Sequence, residues 1–167
     1  ASVLSPPRRG HAFGVVIESA KPFPGLQAVD DPLPTRLTSW RETSADEIDG
    51  AWPVAEGRVL HERRHPDGRL FLRVDSRDGI GYRVWAPYYG RHLVSPDGAS
   101  VESALPRVPF ARWQRLFFGE ILPLAACLQG LHLVRSSAVA IDDHVVAFLG
   151  PKHSGKTAFT AHLVALG

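Results

Sequence analysis

Eight consecutive residues toward the C-terminal end, Gly150-Pro151-Lys152-His153-Ser154-Gly155-Lys156-Thr157, follow the spacing G-x-x-x-x-G-K-T. That is the pattern of a loop that holds the phosphates of a nucleotide. Anion binding requires a backbone whose successive N–H groups point inward, and small residues at Gly150, Ser154 and Gly155 let it approach phosphate oxygens unobstructed. A helix starting near Gly155 adds unpaired N–H donors and the positive end of its dipole. In this pattern Lys156 reaches the β- and γ-phosphates of ATP, and the Thr157 hydroxyl holds Mg²⁺. Pro151, Lys152 and His153 occupy the unrestricted positions of the candidate nucleotide-binding stretch. Lys152 reads as a solvated lysine, and His153 is given no role.

Such a loop works only between a strand and a helix. The apolar run Val145–Leu149 precedes it, and Thr157–Leu166 follows, with Phe159, Leu163 and Leu166 at helical spacing as an expected buried face. Upstream, Leu131–Ile141 is a second β-rich run, joined to the first by a tight turn at Asp142-Asp143-His144. Adjacent acids at such a place read as turn formers, not as a metal site.

The run Ser136–Leu149 leading directly into Gly150–Thr157 resembles the HPr kinase/phosphorylase-like family of bacterial serine kinases, in which a β-hairpin feeds the phosphate loop. The likeness is clearest over 116–167. It implies that Gly150, Ser154, Gly155, Lys156 and Thr157 take the family's nucleotide and Mg²⁺ roles, and that a serine of a protein or ribosomally made peptide is phosphorylated. Where the family has a histidine near the transferred phosphate, this chain has Arg135. An arginine neutralises phosphate charge but does not shuttle a proton at neutral pH. Lys156 and Arg135 are therefore the candidate catalytic residues; His132, three residues away on a strand, is not a substitute. The family's second acidic element comes well after the loop, and the sequence ends one helix past it. The expectation is the front part of a longer kinase, inactive by itself. Two alternatives stand beside this one: a nucleotide-sensing or partner-binding protein that transfers nothing, and another P-loop NTPase.

The remainder must scaffold that site. Residues 1–10 read as a loose tail and His11–Ser19 as a first strand. Five prolines break 21–57, where only Thr35–Glu42 reads as a strand. From Arg58 to Ser103, short β-rich runs alternate with turns at Pro66-Asp67-Gly68, Asp78-Gly79 and Pro96-Asp97-Gly98, an antiparallel meander. In it Leu70, Leu72 and Val74 face one side, and Phe71, Arg73 and Asp75 the other. Tyr82, Trp85, Tyr88 and Tyr89 read as sheet packing rather than a ligand platform. Phe110, Trp113, Leu116, Phe117, Ile121, Leu124 and Leu128 then mark an amphipathic helix over Pro109–Gln129, kinked at Pro123 and ended by Gly130. The expected architecture is α+β or α/β: a β-rich region at 1–108, a connecting helix at 109–131, and the hairpin, P-loop and first helix of an incomplete kinase domain at 132–167.

With 44% apolar and 22% charged residues the 167-residue chain can bury a core, and the composition argues against disorder. A net charge of +2 without a basic block does not imply nucleic acid, and no run is apolar enough to imply a membrane span. The single cysteine, Cys127, excludes an internal disulfide and reads as a small buried hydrophobe. With no basic-then-apolar leader, it fits a reducing, cytoplasmic setting. His61 and His65 lie four apart in strand and turn and are assigned no metal. The absence of methionine even at position 1 suggests a trimmed N-terminus.

Overall fold

A computed structural model describes residues 8–21, 26–29, 36–52, 57–151 and 153–166. The prolines at 22, 24, 32, 34 and 53, residues 1–7 of the tail, Thr35 and Lys152 lie outside the described residues. The fold is mixed α+β, and the chain divides into two compact units, Ala1–Leu131 and His132–Gly167.

The first unit is built on a nine-stranded sheet. Its strands are β1 (Arg8–Ala12), β2 (Val15–Ser19), β3 (Gln27–Ala28), β4 (Leu37–Glu42), β5 (Arg58–Arg64), β6 (Leu70–Arg77), β7 (Gly81–Ala86), β8 (Gly90–Val94) and β9 (Ser100–Ala104), in the order β3-β1-β2-β4-β9-β8-β7-β6-β5. The meander from β5 to β9 is antiparallel throughout, as its turn residues require. Beyond β9 the expectation of a purely antiparallel region fails, because β9 pairs with β4, and β4 with β2, in parallel. Non-local pairings of this kind leave no turn signature in the chain.

The single strand expected at His11–Ser19 is a hairpin. Phe13 and Gly14 both have positive φ, 55° and 76°, which matches the right-handed twist of two strands joined by a two-residue turn. Arg8–Gly10, expected in a loose tail, belong to β1 and pair with β2. A helix missing from the sequence reading, α1 (Ala45–Ala51), follows β4. Ser44 Oγ accepts from Glu47 N at 3.1 Å and Glu47 Oε2 from Ser44 N at 3.2 Å. This reciprocal cap starts the helix.

One face of the sheet carries Ile17, Trp40, Val84, Val94 and Val101 against a helical segment bearing Trp113, Leu116, Phe117, Ile121, Leu122 and Ala125. Trp113 sits within 5.0–5.4 Å of the rings of Phe117, Phe110 and Trp40. His92 is fully buried beneath it, with Nδ1 2.9 Å from Ser103 Oγ; that oxygen accepts from Trp40 Nε1 at 3.0 Å. The helical segment has three parts: α2 (Phe110–Leu116), a π-helical turn (Phe117–Ile121) and α3 (Leu122–Leu128). Pro123 has no N–H for the carbonyl one turn back, and the turn before it takes the wider π-helical geometry. Gly130, at φ 83°, ends the segment. Cys127 is exposed, not buried as expected, because the apolar stripe passes through Ala125 and Ala126 and leaves the next residue outward.

The opposite face of the meander is not simply solvated. Asp75 is fully buried, its Oδ2 accepting from Arg83 Nη2 at 2.7 Å and its Oδ1 from Arg73 Nε at 2.6 Å. Arg83 lies 5.3 Å from the Trp52 ring, and Ile48 and Trp52 of the α1 region are fully buried. A charge is tolerated there because paired donors replace its water. Among the aromatics read as packing, Tyr82 and Tyr89 do lie against the core. Tyr88 is half exposed and accepts from Arg69 Nη1 at 3.1 Å.

Candidate functional site

The second unit is a hairpin and one helix. β10 (Ser136–Ile141) pairs with β11 (His144–Leu149) from Ser136↔Leu149 to Ile141↔His144, and α4 (Lys156–Leu166) follows the loop. The hairpin closes on Asp142-Asp143, with Asp142 at φ 51°, a conformation that short polar side chains tolerate. Residues 131–135, expected in the Leu131–Ile141 β-run, have no regular structure.

The loop curls tightly after β11. A Cβ on Gly150 would come within 2.9 Å of Ser154 Oγ, so a side chain there would displace the Ser154 hydroxyl from the curl. His153 and Gly155 both adopt positive φ, 68° and 80°. At His153 this costs on the order of 1 kcal/mol of backbone strain. Lys156 turns back into the curl, where Nζ donates to the carbonyls of Gly150 at 2.8 Å and Pro151 at 2.6 Å and lies 3.3 Å from Ser154 Oγ. Three acceptors match the three protons of one ammonium.

The amides are partly committed. Ser154 N–H donates to Pro151 O at 3.3 Å, and the helical ladder begins with Phe159 N–H on Gly155 O at 2.9 Å. The N–H groups of Lys156, Thr157 and Ala158 precede that bond and, as first-turn donors, have no acceptor within the helix. Together with the Lys156 ammonium they make the start of α4 electropositive.

Gly150, Pro151, Ser154, Gly155 and Lys156 are thus brought together. His153 is exposed and contributes its strained backbone rather than its ring. Arg135 immediately precedes the Ser136↔Leu149 pair, so it stands at the open end of the hairpin where Gly150 leaves β11. It is exposed and forms no hydrogen bond or ion pair among the described residues. Asp142 and Asp143, the two carboxylates in the sequence of this unit, lie at the other end of the strands, roughly 20 Å of extended chain away.

Thr157 Oγ1 is exposed and lies 3.4 Å from Ser137 Oγ, a residue to which the sequence reading gave no role. A single hydroxyl on this helix suits Mg²⁺, which retains most of its waters and takes its remaining ligands from phosphates. Among the described residues no group of three or more His, Cys, Asp or Glu is placed to hold a metal by itself. His65 instead meets Phe71 edge-on, with centroids 5.3 Å apart.

The expected buried face of α4 is not formed. Phe159 is 52% exposed and Leu166 72%, and no described residue of the helix is buried. The helix is held to the hairpin by Phe148 and Phe159, edge to face at 5.0 Å. Two strands are too narrow to cover more of it. Among the described residues, no helix is long and apolar enough to cross a membrane. No family model, curated protein or solved structure matches the chain.

Proposed function

We propose that the loop Gly150–Thr157 binds ATP with Mg²⁺, and that the chain supplies the nucleotide-holding part of an HPr kinase-like serine kinase acting on a protein or ribosomally made peptide. The observation that carries the reading is the Lys156 ammonium held inside the curl of the loop by the Gly150 and Pro151 carbonyls. A cation placed there, next to helix-start N–H groups without intrahelical acceptors, meets a polyphosphate by exchanging those carbonyls for phosphate oxygens.

In this reading Lys156 neutralises the β- and γ-phosphates, and the first-turn amides of α4 bind phosphate oxygens. Thr157 contributes a hydroxyl to the cation. A Mg²⁺ bound with the nucleotide would supply charge neutralisation at the phosphates. Arg135 adds a second positive charge at the hairpin's open end. It cannot take the proton of the attacking serine.

One observation favours the alternative of nucleotide binding without transfer: the two carboxylates of the unit lie at the far turn of the hairpin, so neither is at hand as proton acceptor. Titration calorimetry tests the shared part of both readings. ATP and ADP bind, and AMP, lacking the β-phosphate that Lys156 meets, binds at least about ten-fold more weakly. No heat with ATP rejects both. γ-Labelled ATP with the protein and serine-containing peptides separates them, since label on serine supports the kinase and binding without label supports the sensor.

A further inference from the structure

Two threonines of α4 treat their hydroxyls differently. Thr160 Oγ1 donates back to the Lys156 carbonyl at 3.0 Å, the usual bond of a helical threonine. The partner of Thr157 Oγ1 among the described residues is Ser137 Oγ, on β10. Ser137 is paired with Phe148 across the hairpin, and Phe148 holds Phe159 of the same helix. One cross-strand pair therefore makes both a polar and an apolar contact between hairpin and helix.

A hydroxyl has one proton and two lone pairs. When it ligates a cation it does so through a lone pair, and its proton must rest on another acceptor. We infer that Ser137 is a positioning residue for the cation: its Oγ accepts the Thr157 proton and leaves the Thr157 oxygen free to ligate the Mg²⁺ that accompanies a nucleotide. The inference rests on the proposed nucleotide reading. Ser137 itself touches neither phosphate nor metal; it acts through Thr157, as outer hydrogen-bond partners orient metal ligands elsewhere.

The test is calorimetric titration of the 167-residue chain with ATP, once in MgCl₂ and once in EDTA. Wild type binds more tightly with Mg²⁺. Ser137→Ala reduces that Mg²⁺-dependent gain by about three- to ten-fold, the worth of one hydrogen bond, and leaves the affinity in EDTA within about two-fold. Ser137→Thr, which restores a hydroxyl, recovers the gain. Thr157→Ala loses it, and adding Ser137→Ala to Thr157→Ala removes nothing more. Three results overturn the inference while sparing the nucleotide reading: a full Mg²⁺ gain in Ser137→Ala, an equal loss in Mg²⁺ and in EDTA, or a wild-type affinity indifferent to Mg²⁺. Absence of ATP binding by wild type in both buffers overturns the nucleotide reading itself, and this inference with it.

Discussion

The Lys156 ammonium donates to the Gly150 carbonyl, 2.8 Å away, and so ties the first residue of α4 to the first residue of the loop. The same group is the cation a phosphate would meet. Removing it deletes a charge-assisted contact and loosens the curl together. Lys156→Ala is expected to weaken ATP binding by about ten-fold or more. Isothermal titration reads this directly, and an unchanged affinity would separate the loop from nucleotide binding.

Burial under Trp113 holds His92 below its ordinary range, at about 4 against 6.5, with a bond to the Tyr89 carbonyl opposing the shift. Its pKa is lowered on folding, so the unfolded chain binds the extra proton first. The contribution to stability is complete above pH 6.5 and is lost as pH falls from there through 4, on the order of 3 kcal/mol in all. Urea unfolding of the His92→Gln variant between pH 4 and 7 should show a shallower loss than wild type. Parallel slopes for the two proteins would contradict the assignment.

Asp75 and Arg83 form a buried ion pair, and a second arginine, Arg73, holds the other oxygen of Asp75. Asp75→Ala leaves the Arg83 guanidinium buried without its anion, at a cost of about 3–5 kcal/mol. Asp75→Leu with Arg83→Met, which removes both charges and keeps volume, is expected to recover most of it. Denaturant midpoints of the two variants decide the matter, and equal destabilisation would point to packing rather than charge.

The reciprocal cap of Ser44 and Glu47 starts α1, whose Ile48 packs in the interior. Ser44→Ala is expected to cost about 1 kcal/mol and Ser44→Asp close to nothing. Thermal unfolding distinguishes the two, and a Ser44→Ala variant as stable as wild type would show that α1 is held by packing alone.

The features legible in the residues are those set within a few positions of one another. Gly150, Gly155 and Lys156 specify a curled loop, with Gly155 taking a positive φ that suits glycine, and Pro66-Asp67-Gly68, Asp78-Gly79 and Pro96-Asp97-Gly98 specify a meander. Ser44 and Glu47 carried an equally local signal for α1, obscured by the prolines around it. What depends on distant partners was not legible. The parallel pairing of β2, β4 and β9, the burial of Asp75 and His92, the outward turn of Cys127 and the meeting of Ser137 with Thr157 arise only when separated segments share a face. Local conformation follows from the covalent geometry of neighbouring residues, whereas burial and pairing follow from which surfaces the whole chain brings into contact.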